Sequence, residues 1–348
     1  VLPSPSFRLL RVLKAVDENL YSYEENSYSL EDVFRLVNLR FLAIGADWRQ
    51  IPTFPSSVYL LWNLQTLIVK GIDDAVAPPE IWKMPQLRHV QFDQLEMPDP
   101  PPGGQDDEFV LGNLQTLLEI RNFRCGEEVV KRIPNVNKLQ ICCNEFEGFS
   151  SYCLNNLGRL CKLESLRFSL YSLIKKPNRN DLMQNLILPN SLKKLTLYGT
   201  NQYWEDMKTK IGLLPNLQVL KLKENSFVGP EWETAEGQFC SLRFLQIFGC
   251  RDLECWTTDS THFPRLEHLD LQYLDKLEEI PSCIGEISSL ESIYLEICSD
   301  AAVISAKRIL DEQEELGNSG IRVRAQVFQE SKENLESLVG PNFQVETW

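Results

Sequence analysis

The stretch LQVLKLKEN at residues 217–225 places leucine at its first, fourth and sixth positions and a polar residue at its ninth. The stretch LRFLQIFGC at residues 242–250 repeats the pattern, with a small residue at the ninth position. Successive copies lie 22 to 29 residues apart. The fourth position of each copy is occupied by Leu13, Leu42, Leu67, Val90, Leu117, Leu139, Leu166, Leu195, Leu220, Leu245, Leu269 and Ile293. The chain is therefore predicted to consist of about twelve copies of one structural unit.

Each copy is predicted to form one short strand, because the side chains of a strand alternate between its two faces. In the copy at 217–225, Leu220 and Leu222 point into a core and Lys221 points outward. One unit buries too little apolar surface to be stable alone, so the units must stack. A period of about 20 to 29 residues is typical of leucine-rich repeats. The predicted fold is an α/β leucine-rich-repeat solenoid, or horseshoe, with a concave parallel sheet and a convex side of irregular segments and short helices.

Three segments are predicted along the chain. Residues 1–298 carry the repeats and form the solenoid. Residues 299–328 are predicted to form a cap over the last leucine layer, with a helix at about 301–316 and a strand at 321–328. Residues 329–348 show little pattern, and we predict a loose tail there.

Two places interrupt the pattern. The segment PDPPPGGQDDE at 98–108 cannot continue a strand or a helix, so an exposed, mobile and protease-sensitive loop is predicted. The unit LGNLQTLLEI at 111–120 is one residue out of phase with its neighbours. Uneven curvature is therefore expected near residues 111–145.

Composition predicts a soluble chain in a reducing compartment. Hydrophobic residues make up 43% and charged residues 24%, and no apolar run is long enough to span a membrane. Residues 1–10 show no secretion signal. Ten cysteines are present but the first 124 residues hold none, unlike secreted repeats with paired cysteines in their caps. We expect a cytoplasmic location, and Val1 in place of methionine suggests a fragment.

The charge is distributed in blocks. Residues 1–110 carry a net charge of −7, residues 111–225 carry +7, and residues 226–348 carry −14. Position along a stacked chain follows position in the sequence. A basic band between two acidic ends is therefore predicted.

The sequence carries no pattern typical of an enzyme. There are three histidines, no phosphate-binding G-x-x-x-x-G-K-[ST] motif and no paired C-x-x-C spacing for zinc. No catalytic residue, metal site or cofactor is predicted. Nucleic-acid binding is also disfavoured, because a chain of net charge −14 repels phosphate at long range.

The outward strand positions are the predicted binding surface. Lysines on neighbouring strands repel one another unless an acidic partner neutralises their charge. Aromatic side chains are enriched in interface hot spots. Lysines that only keep the surface solvated are the alternative interpretation. The candidate partner-binding residues are Arg167, Lys194, Tyr198, Lys221, Lys223, Phe244, Phe248 and Tyr294.

The residues between the leucines carry a more specific resemblance. Residues 62–67 read W-x-L-Q-T-L, and residues 81–90 read I-W-x-M-x-x-L-R-H-V. Together with segments such as FRLLRVLKAVD at 7–17, they resemble the leucine-rich-repeat region of plant intracellular immune receptors. The nearest group is the coiled-coil class of the late-blight-resistance type. The resemblance covers about residues 1–328.

The resemblance implies a sensing and autoinhibitory role in the plant defence response. In that family a coiled coil and a nucleotide-binding module precede the repeats, and neither is present in this sequence, so nucleotide binding is carried over to no residue. The implied partners are the nucleotide-binding module of a parent receptor and a pathogen effector or guarded host protein. The resemblance assigns ligand sensing to the candidate partner-binding residues above. It assigns the intramolecular contact to Phe41, Ile68, Lys70, His89 and Asp93.

Two alternatives remain. A stand-alone leucine-rich-repeat scaffold or signalling adaptor would need no switch module. A substrate-recognition subunit of a ubiquitin ligase is disfavoured, because no F-box-like helical segment precedes the repeats in this sequence. The sequence upstream of Val1 would separate the receptor from the adaptor, since a phosphate-binding loop there favours the receptor.

Overall fold

The computed structural model describes residues 9–16, 30–45, 54–70, 76–93, 95–101, 109–144, 149–171, 182–318 and 320–347. The chain forms two compact units, unit 1 (Val1–Tyr171) and unit 2 (Ser172–Trp348). Most of the proline-rich segment predicted to be a loop, residues 102–108, lies outside the described residues. The predicted domain boundaries at 298 and 328 stay a prediction.

Unit 1 contains a parallel sheet with one strand per repeat. Neighbouring strands pair so that the leucine positions are direct partners, as in Leu42 with Leu67 and Leu117 with Leu139. The side chain of Leu42 is fully buried. The predicted register is therefore confirmed in this unit. The strands are β1 (Val12–Ala15), β2 (Phe41–Gly45), β3 (Thr66–Lys70), β4 (His89–Phe92), β5 (Thr116–Arg121), β6 (Lys138–Asn144) and β7 (Ser165–Tyr171).

Unit 2 contains a second run of parallel strands in the same register. Leu220 pairs with Leu195 on one side and with Leu245 on the other. Leu220 and Leu222 are fully buried, whereas Lys221 is partly exposed, as predicted. The strands of this run are β8 (Lys194–Tyr198), β10 (Val219–Lys223), β13 (Phe244–Phe248), β15 (His268–Gln272), β16 (Ser292–Glu296), β17 (Arg322–Val327) and β18 (Phe343–Thr347). Four short strands form two separate two-stranded sheets, in which β9 (Gln202–Tyr203) pairs with β11 (Phe227–Val228) and β12 (Glu231–Glu233) pairs with β14 (Cys255–Thr257).

Short helices connect the strands within each unit. Several of the 3-10 helices follow a proline, such as Pro55 and Pro78, whose fixed φ suits the start of a helical turn. The α-helices are α1 (Leu30–Phe34), α2 (Glu127–Arg132), α3 (Leu182–Asn185), α4 (Trp204–Lys210), α5 (Asp300–Glu315) and α6 (Gln329–Leu335). The 3-10 helices are Ser56–Leu60, Pro79–Lys83, Phe149–Tyr152, Leu154–Arg159, Ser260–His262, Ser282–Glu286 and Glu336–Leu338.

The longest helix, α5, follows the last predicted repeat. Ser299 Oγ accepts a hydrogen bond from Ala302 N at 3.0 Å, and Gly317 ends the helix with a φ of 82°. The helix packs closely on the preceding 3-10 helix, since a Cβ added to Gly285 would lie 2.7 Å from Ile309 Cγ2. The helix predicted at 301–316 is therefore present with its expected ends.

The last strand, β18, corrects the prediction of a loose tail at 329–348. β17 pairs with β16, and β18 pairs with β17, both in parallel. Ile293, Val323 and Phe343 continue the ladder of buried positions from strand to strand. Phe343 is fully buried. Residues 329–347 thus form α6, a 3-10 helix and a paired strand, because Phe343 covers the layer beneath it without any leucine motif.

A β-bulge interrupts the sheet of unit 1 at the out-of-phase repeat. The register between β5 and β6 shifts between Leu117 and Ile120. Glu119, inside the shift, has a φ of 59°, in the left-handed region. An extra residue in one strand is accommodated in this way. The bulge thus accommodates the unit that the sequence shows to be out of phase, and the uneven curvature expected near it stays a prediction.

Side chains also link successive repeats outside the sheets. In unit 1, Asn113 Nδ2 donates to Pro85 O at 2.9 Å, and Asn135 Nδ2 donates to Gly112 O at 2.6 Å. In unit 2, the indole rings of Trp204, Trp232 and Trp256 stack with centroid distances of 5.0 Å. These ladders give each repeat fixed contacts with its neighbours.

Candidate functional site

The outward side chains of unit 2 form rows that run across the strands. Register places Lys223 between Tyr198 of β8 and Phe248 of β13. Lys221 lies between Thr196 and Gln246 in the next row. A row is a set of side chains about 4.8 Å apart from strand to strand. The alternation of the repeat therefore brings lysine and aromatic side chains together on this face.

The two lysines of β10 lie over aromatic rings of β13. Lys221 Nζ is 5.1 Å from the centroid of the Phe244 ring, and Lys223 Nζ is 5.6 Å from that of Phe248. An ammonium group is attracted to the electron-rich face of such a ring, a contact of about 0.5–1 kcal/mol at an exposed site. The rings and ammonium groups thus form combined cationic and aromatic surfaces, in which the lysines partly cover the rings.

Lys194 occupies a different row from the other lysines. Its register partner is Val219 of β10, and its side chain is exposed. Among the described residues, Lys194 has no ion pair or side-chain hydrogen bond. Lys194 is thus free to meet a carboxylate from a partner. We call Lys194, Tyr198, Lys221, Lys223, Phe244 and Phe248 the lysine–aromatic face.

Beyond this face, the half-buried carboxylate of Asp270 occupies the row of Lys221. Gln246 Nε2 donates to Asp270 Oδ2 at 2.7 Å, and Gln272 Nε2 donates to Asp270 Oδ1 at 2.7 Å. Burial raises the pKa of Asp270, while these two hydrogen bonds and the nearby charge of Lys221 oppose the rise. Strand alternation predicts an outward position for each of these residues but does not indicate this network, since the amide and carboxylate orientations depend on packing.

Tyr294, which the sequence predicts to be part of the same binding surface, lies away from the lysine–aromatic face. β15 lies between its strand and β13. Its hydroxyl lies 2.7 Å from Gln326 Oε1 and 3.1 Å from Glu296 Oε2, and its single proton is donated to one of them at a time. Burial and the Glu296 carboxylate raise the pKa of Tyr294 to about 12. Tyr294 belongs to a polar and acidic part of the sheet face.

Arg167 belongs to unit 1, where it lines a groove on the sheet. The groove is also lined by Asp93, Glu119, Cys142 and Tyr171. Burial raises the pKa of the Cys142 thiol to about 11; the nearby guanidinium lowers this pKa and the two carboxylates raise it. Arg167 and Asp93, predicted for two different surfaces, therefore line one groove with both signs of charge.

The other residues predicted for an intramolecular contact lie on β2, β3 and β4 of unit 1. Phe41, Ile68 and His89 are partly exposed, and Lys70 is exposed. His89 Nδ1 is 3.1 Å from Thr116 Oγ1 on the neighbouring strand. The structure thus places these side chains on the outward side of the strands.

The cysteines are reduced, and those at the ninth repeat position are packed into the turns. All ten are free thiols. Burial raises the pKa of Cys250 to about 11 and that of Cys298 to about 12.

In the described part of the chain, no group of three or more His, Cys, Asp or Glu side chains could hold a metal ion. No described helix is long and apolar enough to cross a membrane.

A family model described as a leucine-rich repeat region matches residues 1–223. This match covers more than half of the chain. The chain belongs to this leucine-rich repeat family. In this chain, the repeats form the buried ladder of leucines described above. The repeat pattern does not determine which residues occupy the outward rows.

Curated relatives of this leucine-rich repeat chain are disease-resistance proteins. It is 30% identical over 294 residues to a late blight resistance protein homolog of Solanum demissum, in a match that covers 80% of this chain and 35% of that protein. It is 30% identical over 327 residues to a second late blight resistance protein homolog of the same plant, covering 89% and 22%. The chain thus spans about a third or less of their length.

A crystal structure of an internalin from Listeria monocytogenes is also similar. It matches with a TM-score of 0.47 and 14% identity, over 86% of this chain and 84% of that one.

Proposed function

We propose that this chain is the recognition segment of a plant disease-resistance protein, located in the cytoplasm, and that it acts by binding proteins and not by catalysis. The similarity to late blight resistance protein homologs supports this role. The single observation that supports a binding site is the lysine–aromatic face, where Lys221 lies over Phe244 beside the exposed Lys194. Cationic and aromatic groups together are typical of interface hot spots.

The partner of this face carries carboxylates. The chain has a net charge of −14, so an acidic partner is repelled at long range and is attracted only near the lysines. Such a field orients the partner and selects one docking position. A pathogen effector or a guarded host protein with an acidic surface fits this requirement.

We also propose a second contact, which holds the parent receptor inactive. Phe41, Ile68, Lys70, His89 and Asp93 of unit 1 meet the nucleotide-binding module of that receptor. Partly exposed apolar side chains beside charged ones support a contact that can be broken, since such mixed surfaces resemble transient interfaces between domains. Nucleotide binding itself belongs to the other module.

The test uses the full receptor in leaves inoculated with the late blight pathogen, with ion leakage as the measure of cell death. The double variant Lys194→Glu with Lys221→Glu should abolish the response, because binding weakens by about tenfold or more when two lysines are reversed. The control is Lys210→Glu with Arg265→Glu, which makes the same change in charge on α4 and in a turn of unit 2.

Immunoblots establish equal amounts of each protein. A normal response from the control and none from the lysine variant supports the proposal. Equal responses from both variants would contradict it and leave these lysines a solvating role.

A further inference from the structure

Exposed apolar side chains cluster where the strands of unit 1 begin. Trp62 is 62% exposed, and Tyr59 is 50% exposed. Val37 and Leu60 are exposed as well. These residues precede β2 or β3, and parallel strands that pair in register begin at the same edge of a sheet. We call this the amino edge of unit 1.

The turns at this edge do not require large apolar residues. Leu39 N donates to Leu36 O, and Leu64 N donates to Leu61 O, so Val37 and Trp62 hold the second position of equivalent turns. The same position holds Pro85, Gly112 and Pro134 in later repeats of unit 1. Proline suits this position because of its fixed φ. The fold therefore does not explain an exposed indole at Trp62.

A row of arginines follows the same edge. Arg40 N donates to Arg11 O, and Gln65 N donates to Arg40 O. Gln65 therefore lies between Arg40 and Arg88 in the row. All three arginines are exposed. Among the residues that the structure describes, none of the three has an ion pair or a side-chain hydrogen bond. Three cations therefore lie along one edge without an acidic partner.

Like charges on adjacent strands destabilise a sheet unless opposite charges neutralise them. Arg11 and Arg40 occupy neighbouring positions, about 4.8 Å apart along the hydrogen-bonding direction. Arg11 and Arg40 each lie within a few residues of an exposed apolar side chain in the sequence, as Arg40 does of Val37. The edge thus combines positive charge that no described acidic side chain neutralises with apolar surface that is not part of the core.

We propose that the amino edge of unit 1 binds an acidic protein segment whose apolar side chains pack against Trp62, Tyr59 and Val37. Carboxylates of that segment pair with Arg11, Arg40 and Arg88, since guanidinium groups bind carboxylates through two parallel hydrogen bonds. This surface is distinct from the lysine–aromatic face of unit 2 and does not rest on the function proposed for that face.

The test measures fluorescence anisotropy of a labelled synthetic peptide with three repeats of Asp-Glu-Leu-Phe-Gly, added to the whole chain. One comparison peptide has lysine in place of each acid, and another has serine in place of leucine and phenylalanine. The acidic, apolar peptide should bind at least about tenfold more tightly than either comparison peptide. Its affinity should fall as salt rises.

Variants locate the site. Arg40→Glu with Arg88→Glu, and separately Trp62→Ala, should each weaken binding by about tenfold or more. Matched controls in unit 2 are Arg265→Glu and Leu213→Ala, which change an exposed cation and an exposed apolar residue and should leave affinity unchanged. Bound peptide should also protect Trp62 from iodide quenching, since the other described tryptophans are buried.

Two results would overturn the proposal. One is equal binding by the wild type and the amino-edge variants, or equal loss in the unit 2 controls. The other is binding of phosphatidylserine vesicles or single-stranded DNA in preference to the acidic, apolar peptide, which would assign the edge to a membrane or to nucleic acid. Because Lys194 and Lys221 are unchanged in these variants, failure here is separate from failure of the proposed function.

Discussion

At the scale of single residues, burial determines the chemistry of the cysteines. Cys250 is buried in a turn of unit 2, and Cys298 Sγ donates to Leu271 O at 3.3 Å. Removing a thiolate from water is unfavourable, so burial holds both thiols in the protonated form. Cys161 and Cys240 are exposed turn residues. The buried cysteines after the strands and the exposed cysteines before them therefore differ in reactivity, because the thiolate is the reactive species.

Alkylation by N-ethylmaleimide at pH 8 should distinguish these thiols. Cys161 and Cys240 should be modified within minutes, whereas Cys250 and Cys298 should stay unmodified until the chain is unfolded in urea. Peptide mass spectrometry gives the extent of modification at each site. Rapid modification of Cys250 in the folded chain would show that this turn is open and that the described packing is incorrect.

At the scale of elements, β18 shows how a strand forms without the repeat motif. Its sequence FQVET has no leucine, so the pattern that identified the repeats could not locate it. Pairing with β17 and burial of Phe343 nevertheless make it a layer of the sheet. A covered last layer is a requirement of any stacked fold. The need for a cap was predictable, but its extent beyond residue 328 was not.

Truncation of Phe343 should therefore be costly. Phe343→Ala should lower the free energy of unfolding in urea by about 3–5 kcal/mol, the usual range for a fully buried phenylalanine. Gln344→Ala, one residue away and exposed, should change it by less than about 0.5 kcal/mol. If both substitutions have the same small effect, residues 329–347 form the loose tail that the sequence suggested.

The leucine ladder and the sheet face differ in how far sequence predicts them. Leu220 and Leu245 could be paired in advance, because strand alternation and the repeat interval are local properties. The placement of Lys221 over Phe244 depends on side-chain torsions of two strands. The amino-edge arginines are evident in the sequence, but only the structure shows that they have no ion pair among the described residues. The charge blocks in the sequence indicate the sign of the net charge of each region, but not the contacts that any lysine makes.

At the scale of the whole molecule, the repeat divides its residues between two roles. Buried positions such as Leu67 in unit 1 and Leu222 in unit 2 stabilise the stack. Outward neighbours such as Thr66 and Lys221 are partly exposed and contribute little to the core. The outward side chains are therefore free to differ between repeats and to bind partners. This division of roles holds within each unit separately, and the binding surfaces proposed on the strand faces depend on it.

Urea unfolding of four variants tests this division most directly. Leu67→Ala and Leu222→Ala should each lower the free energy of unfolding by about 2–5 kcal/mol, because each leaves a cavity in a buried layer. Thr66→Ala and Lys221→Ala should each lower it by about 1 kcal/mol or less, since surface contacts contribute little. Losses of equal size at the buried and outward positions would contradict the division of roles on which the binding surfaces proposed on the strand faces depend.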